Sequence, residues 1–311
     1  MQNTSYQNLI IGFGKAGKTL AGFLAKKGET VALVERSKER YGGTCINVAC
    51  IPSKSLEYSA RLSAAAGGDF AAKAERYRAA IAEKRRLTAM LREKNYAKVT
   101  GTGAVVIDGE ASFVDAHTVR IVGADGEQTV TADRIFINTG ALPFVPPIEG
   151  AAESTHVYTS ETMMELDELP EKLVIIGGGY IGLEFASYYE NFGSSVAVVQ
   201  DGDAFIPRED SEISARVLQQ MNDRGIHILT GAKITRIEEG AAGANVIVET
   251  AAGEKALAAN AFLIATGRRP NTEALNLAAA GVRQTVRGAV EVDEHLRTNV
   301  PHIWAMGDVT G

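Results

Sequence analysis

The sequence predicts an α/β protein built from two similar halves, and three observations predict it. A strand, a G-x-G-x-x-G turn, a helix and a second strand occur in that order over residues 8–35, and again over residues 173–200. The internal spacing is shared: Glu35 stands 18 residues after Gly17, and Gln200 stands 18 residues after Gly182. Each half then closes on a strand that runs into a Thr-Gly pair, Thr139-Gly140 in the first and Thr266-Gly267 in the second.

Composition narrows the class. A chain of 311 residues suggests two domains, and its 45% hydrophobic and 23% charged content is that of a soluble globular protein. The net charge of −6 argues against a nucleic-acid partner. No apolar run approaches the ~20 residues of a membrane span. The polar start Met1-Gln2-Asn3-Thr4-Ser5-Tyr6 shows no signal peptide, so a cytoplasmic protein is expected.

In order along the chain, Asn8–Ile11 reads as a short buried strand and Gly12-Phe13-Gly14-Lys15-Ala16-Gly17 as the turn after it. The helix is expected over Thr19–Lys27 with Gly28 as its cap, and Val31–Val34 is a second strand ending in Glu35. Glycines permit a tight turn and close approach of a pyrophosphate. The helix N-terminus stabilises its charge, and the acid accepts from a ribose hydroxyl.

Next comes Gly-Gly-Thr-Cys-Ile-Asn-Val-Ala-Cys-Ile-Pro-Ser-Lys at 42–54, which holds both cysteines of the protein, Cys45 and Cys50. A regular helix turns ~100° per residue, so five steps put the two sulfurs on different faces. A disulfide wants Cα atoms roughly 4.4–6.8 Å apart, so a bridge here requires an irregular turn before the helix proper. Pro52 is tolerated in a first helical turn, which starts the helix near Ile51 and sets Cys50 at its N-terminal end. Unpaired N–H groups there favour a thiolate, which points to a reducible, small-loop pair. Two unrelated buried thiols are the plainer alternative. A zinc site is disfavoured because no His or acidic cluster completes the shell.

Residues 55–100 read as two helices broken at Gly67-Gly68, with their many charges as solvated faces. Short strands are expected at 104–107, 111–114, 118–122, 128–131 and 134–137, separated by turns at Asp108-Gly109 and Asp125-Gly126. The run Pro143–Pro147 marks a crossing into a second domain. There the pattern repeats as strand 173–176, Gly177-Gly178-Gly179-Tyr180-Ile181-Gly182, a helix to Phe192 capped by Gly193, and strand 196–199. Strand 261–265 and the tail His302-Ile303-Trp304-Ala305-Met306-Gly307-Asp308 complete it.

These residues resemble the pyridine nucleotide-disulfide oxidoreductases with a C-x4-C pair, which include lipoamide dehydrogenase, glutathione reductase and mercuric reductase. Within that family, residues 11–19, 205–210 and 303–311 look most like the reactive-chlorine-resistance flavoprotein reductases, which are linked to hypothiocyanous acid stress. The resemblance implies two Rossmann-like domains of three-layer ββα architecture. Residues 1–147 and 270–311 would bind FAD, and residues 148–269 would bind NAD(P). It further implies an enzyme that passes electrons from NAD(P)H through FAD to a Cys45–Cys50 disulfide, and on to a small oxidant such as hypothiocyanous acid, a disulfide or a metal ion.

By position, Gly12, Gly14, Gly17 and Glu35 would hold the FAD adenosine and pyrophosphate, with Gly43 and Thr44 passing close to the phosphates. Ala111, Thr139, Gly140 and Asp308 would contact the same cofactor. Gly177, Gly179, Gly182, Gln200 and Gly267 would serve the nicotinamide nucleotide, with Tyr180 covering its entry to the flavin. Lys54 and Glu184 would pair beside the flavin, with Cys50 as charge-transfer thiol and Cys45 as interchange thiol. Lys54 and Glu184 also read as surface charges, Tyr180 as helix-start packing, and the Thr-Gly pairs as plain turns.

Three departures qualify the likeness. Ala49 stands where the family has glycine, which is strained if φ is positive. Gln200 replaces a ribose-binding acid with no arginine pair after it, which favours NADH over NADPH. Relatives continue into a dimerisation domain whose partner subunit supplies a His–Glu pair. This chain stops at Gly311, so a monomeric fragment of a homodimeric enzyme, impaired in turnover, is expected. His117, His156, His227, His295 and His302 lie outside that motif. A non-catalytic dinucleotide-binding fragment and a flavin redox sensor are the competing functions.

Overall fold

The computed structural model describes residues 3–240 and 243–311; Met1 and Gln2 of the polar N-terminus lie outside them. The chain divides into two units. The first holds residues 1–50, 86–142 and 268–311, and the second holds residues 51–85 and 143–267. Residues 51–85, expected with the first domain, cluster with the second unit.

In chain order the elements are β1 (Asn3–Ile11), α1 (Lys15–Lys26), β2 (Val31–Glu35), α2 (Thr44–Asn47), α3 (Cys50–Ala66) and α4 (Phe70–Thr100). Strands β3 (Val105–Asp108), β4 (Glu110–Phe113), β5 (Thr118–Gly123), β6 (Gly126–Ile137) and β7 (Ala141–Pro143) follow. Then come β8 (Val157–Thr159), α5 (Ser160–Met163), β9 (Lys172–Ile176), α6 (Tyr180–Phe192), β10 (Ser195–Val199), α7 (Ser211–Asp223) and β11 (His227–Leu229). Strands β12 (Lys233–Gly240), β13 (Gly243–Thr250), β14 (Gly253–Ala259) and β15 (Ala261–Ile264) precede the closing β16 (Arg268–Pro270) and β17 (Ile303–Ala305).

The first unit is organised on a seven-stranded sheet of order β3-β2-β1-β6-β5-β4, with β17 also on β6. Strands β3, β2, β1, β6 and β17 are parallel, whereas β5 and β4 form an antiparallel meander with the start of β6. The two strands expected at 128–131 and 134–137 are one strand. The nine-residue β1 lies along both segments, from Asn3↔Thr129 to Ile11↔Ile137, and carries β6 through the polar Asp133. For the same reason β1 begins at Asn3 rather than Asn8. A buried cluster including Leu9, Ile11, Val34, Phe113, Ile121, Ile135 and Ile303 fills one face. Ile10, Phe13, Leu24 and Leu33 join α1 to the other.

The second unit repeats the order. Its parallel sheet runs β11-β10-β9-β15-β8, and β12-β13-β14 form a separate antiparallel sheet. The two share a core of Val174, Ile176, Phe262, Ile264, Val246 and Val248. The strand that was continuous as β6 is here cut at Asn260. Its backbone N–H donates to Lys172 O and its Oδ1 accepts from Lys172 N, both at 3.0 Å.

Not all the charges of 55–100 are solvated. Lys84 is completely buried and donates to Glu165, beside a buried group of Tyr77, Tyr188, Tyr189 and Phe192. A lysine stem is four methylenes long, so it can cross an apolar layer and still deliver its ammonium to a carboxylate. Burial pulls that ammonium below the usual lysine range.

Candidate functional site

The first unit gathers its candidate residues at the end of β1. Gly12 has φ +108°, and a Cβ there would run into the carbonyl of Asn138, so the turn requires glycine. Helix α1 begins at Lys15, not Thr19, because Gly14 is extended and acts as its N-cap. No side chain caps it, which leaves the first-turn N–H groups for a ligand. Gly17 packs against Gly12, where a Cβ would lie 2.5 Å from the Gly12 carbonyl. Glu35 is buried and accepts from Phe13 N at 3.0 Å and Ser37 N at 3.3 Å. Burial pushes its carboxyl up, and those two N–H groups hold it back.

The cysteine stretch lies directly on this turn. Gly43, at φ +82°, approaches so closely that a Cβ would sit 2.6 Å from Gly14 Cα. Gly43 is the N-cap of the single-turn helix α2 that carries Cys45, and Cys50 is the first residue of α3. The irregular break between them is Val48, at φ −142° and ψ 15°. Ala49 is not among the positive-φ residues, so alanine is unstrained there. Both cysteines are exposed free thiols. Loss of solvation around its sulfur, followed by hydrogen bonding to Cys50 and the charge on Cys50, pushes the Cys45 thiol up to about 11, while Lys18 and Lys15 pull it down.

Gly140 faces Thr44, with a notional Cβ 3.8 Å from its Oγ1. Thr139 is turned away: its hydroxyl donates to Asn271 O at 2.7 Å, and Asn271 returns bonds to Thr139 O and Gly140 O. Only their backbones are left for a ligand. Asp308 is exposed in the turn after β17, next to Gly307, which approaches Asn138 Oδ1. Ala111 is buried on the edge strand β4. A cavity of about 480 Å³ opens between Arg36–Lys38 and Asp108–Glu110.

The second unit brings its own set together. Gly177, at φ +112°, meets the carbonyl of Ala265 as Gly12 meets that of Asn138, and Gly182 packs on Gly177 as Gly17 does on Gly12. Gly179 caps α6, again with no side-chain cap, and nothing lies within 4 Å of a Cβ there. By contrast α5 is capped by Thr159 and α7 by Asp210. Gln200 lays its Oε1 against Gly178 and donates from Nε2 to Ala204 O at 2.6 Å. Gly267 has φ +123° and open space around it, and its carbonyl accepts from Phe144 N. Tyr180 is exposed, and its phenol donates to Glu209, which raises the phenol's pKa. Lys54 donates to Glu184, which also accepts from Ser53 Oγ at 3.2 Å.

Sequence reasoning missed Asn138, Ser53, Glu209 and Lys18. Asn138 donates to Gly12 O at 3.1 Å and fills the crevice beside Gly14 and Gly17. Its signal was positional: it occupies, before Thr139-Gly140, the place of Ala265 before Thr266-Gly267. Among the described residues, no group of three or more His, Cys, Asp or Glu could hold a metal ion, and no helix is long and apolar enough to cross a membrane.

The family described as pyridine nucleotide-disulphide oxidoreductase matches residues 6–311. The chain is 44% identical over 307 residues to the probable pyridine nucleotide-disulfide oxidoreductase RclA of Escherichia coli K12, covering 98% of this chain and 66% of that one. It is 34% identical to a mercuric reductase of Staphylococcus aureus, covering 98% and 56%. Among solved structures, the Cu(II) complex of the HOCl-induced flavoprotein disulfide reductase RclA from E. coli superposes with a TM-score of 0.91 at 42% identity, over 99% of this chain and 66% of that one. The chain thus spans about two thirds or less of the length of these relatives. Two glycine-capped helix starts, the Cys45–Cys50 turn seated on the first of them, and these matches place the chain in the pyridine nucleotide-disulphide oxidoreductase family.

Proposed function

We propose that the chain is the nucleotide-binding part of a flavoprotein disulfide reductase. Residues 1–147 and 270–311 take FAD, residues 148–269 take NAD(P)H, and the Cys45–Cys50 pair meets a small oxidant. One observation carries the reading: Gly43 presses the cysteine turn onto Gly14, with Cys45 on the helix that Gly43 caps and Cys50 at the start of the next. A cysteine pair is thereby tied to a phosphate-type helix start.

The residues fit FAD on grounds of shape. Gly12, Gly14, Gly17 and Gly43 form a cradle that a Cβ would fill, and the first turn of α1 keeps its N–H groups free of side-chain caps. When bound, FAD supplies the two-electron link between nicotinamide and sulfur. Glu35 would accept from a ribose hydroxyl and Asp308 from the ribityl chain, while Thr44, Ala111, Thr139 and Gly140 would line the cofactor. In the second half Gly177, Gly179, Gly182 and Gly267 accommodate the nicotinamide nucleotide, and Gln200 bonds its ribose, which favours NADH. Tyr180 covers the nicotinamide entry. Lys54, fixed by Glu184, is the cation assigned to the flavin.

Cys45, as thiolate, attacks one sulfur of a disulfide acceptor and expels the other as thiolate. Cys50 then attacks Cys45 in the mixed disulfide, closing the Cys45–Cys50 bond and releasing the second thiolate; the two cysteine protons go to the leaving groups. Hypothiocyanous acid is the second acceptor class. A metal ion is the third, by likeness to the mercuric reductases and the Cu(II) complex.

Stopped-flow oxidation of NADH against these three acceptors tests the reading. Partial reduction is expected to give a long-wavelength charge-transfer band that Cys50→Ser abolishes and Cys45→Ser keeps. Retention of the band in both variants would show the thiol assignments to be wrong.

A further inference from the structure

Lys18 follows the last glycine of the first motif and is half-buried on α1. Its ammonium donates to Gly42 O at 3.2 Å and to Asn95 Oδ1 at 2.6 Å. Asn95 is oriented for this, because its Nδ2 donates to Leu91 O at 2.7 Å and leaves Oδ1 toward the lysine. Gly42 is wedged in the same place, between Ile46 of α2 and Asn95 of α4. Lys18 therefore joins α1 and α4 to the backbone just before the single-turn helix that carries Cys45. Both these partners are neutral oxygens, and among the described residues no carboxylate is paired with it.

We propose that Lys18 is a positioning residue for Cys45: its ammonium, held under the cysteine turn by two neutral oxygens, stabilises the Cys45 thiolate and sets the pH at which that sulfur reacts. This rests on the reading of Cys45 as the interchange thiol. The charged groups that face Cys45 are Cys50, which disfavours its thiolate, and Lys18 and Lys15, which favour it. Burial, followed by repulsion from Lys15 and then Lys98, pulls the Lys18 ammonium below the usual lysine range, and the facing Cys45 is the group that supports its charge. Lys15 is exposed, so water screens it; Lys18 is held in place and partly shielded. A cation near a thiol in a partly desolvated turn lowers the pKa of that thiol.

The test uses the Cys50→Ser protein, in which Cys45 is the sole thiol, and follows iodoacetamide alkylation against pH. Lys18→Met is expected to move the midpoint up by about one unit, a roughly tenfold loss of rate below the midpoint. Lys18→Arg is expected to restore most of that loss. Asn95→Asp keeps the lysine but gives it a carboxylate partner, and is also expected to raise the midpoint. A midpoint unmoved in Lys18→Met overturns the proposal. Should Lys18→Met fail to fold, as judged by its melting curve, an unmoved midpoint in Asn95→Asp overturns it instead. Alkylation requires neither nucleotide, so this result is independent of whether the chain turns over NAD(P)H.

Discussion

The two glycine-rich crevices share a strand order and a motif, yet they are finished differently. In the first unit the crevice is lined by the protein itself. Asn138 would crowd a side chain at Gly14, with its Nδ2 2.6 Å from a notional Cβ; Gly43 presses on the same residue, and both carboxylate oxygens of Glu35 are engaged by backbone N–H groups. In the second unit Ala265 replaces Asn138, the space around Gly179 is empty, and Gln200 lies against Gly178 while donating to Ala204 O in the loop after β10. A tight crevice suits a resident cofactor, and a more open one suits a nucleotide that exchanges each turnover. The duplicated fold thus provides the same helix start twice, and the side chains around it differentiate the two.

That comparison can be broken most sharply at the glycines. Gly12→Ala combines a positive φ with a collision against Asn138 O, and is expected to cost at least about 2 kcal/mol and to abolish flavin retention. Gly179→Ala has room and an ordinary φ, so its melting temperature should stay close to the parent's while KM for NADH rises. Equal losses of stability in the two variants would erase the distinction drawn between the crevices.

A smaller effect is expected at the ribose ends. Gln200→Glu restores a charged acceptor and should raise the preference for NADH over NADPH by about tenfold, read as the ratio of kcat/KM values. An unchanged ratio would remove Gln200 from nucleotide selection.

The smallest effect is at Glu35. Burial raises its carboxyl in the folded state, so its protonated form is the one the fold favours. Its contribution to stability is present at low pH and is lost as pH rises through the folded-state value. The melting temperature of the parent, relative to Glu35→Gln, should therefore increase on acidification through the carboxylate range. A pH-independent difference would show that the two N–H bonds fully offset burial, and a decrease on acidification that they outweigh it.

Where the determinants were local, the sequence was legible. The Gly67-Gly68 break, the left-handed cap at Gly193 and the start of α3 at Cys50 all lie at or next to their expected positions. Each depends on residues within one turn. The candidate glycines were legible for the same reason, since a tight turn demands them whatever surrounds it.

What the sequence by itself determined is a doubled strand–turn–helix unit with a cysteine pair at a helix start, because backbone geometry and residue spacing are short-range properties. Only the tertiary structure decided that β6 is one strand while its counterpart is cut at Asn260, that Lys84 is buried against Glu165, and that Asn138 and Lys18 flank the first crevice and the cysteine turn. Those choices depend on partners such as β1, Lys172, Glu165 and Asn95, which lie far along the chain. A polar side chain gives no local sign of which distant acceptor it will find.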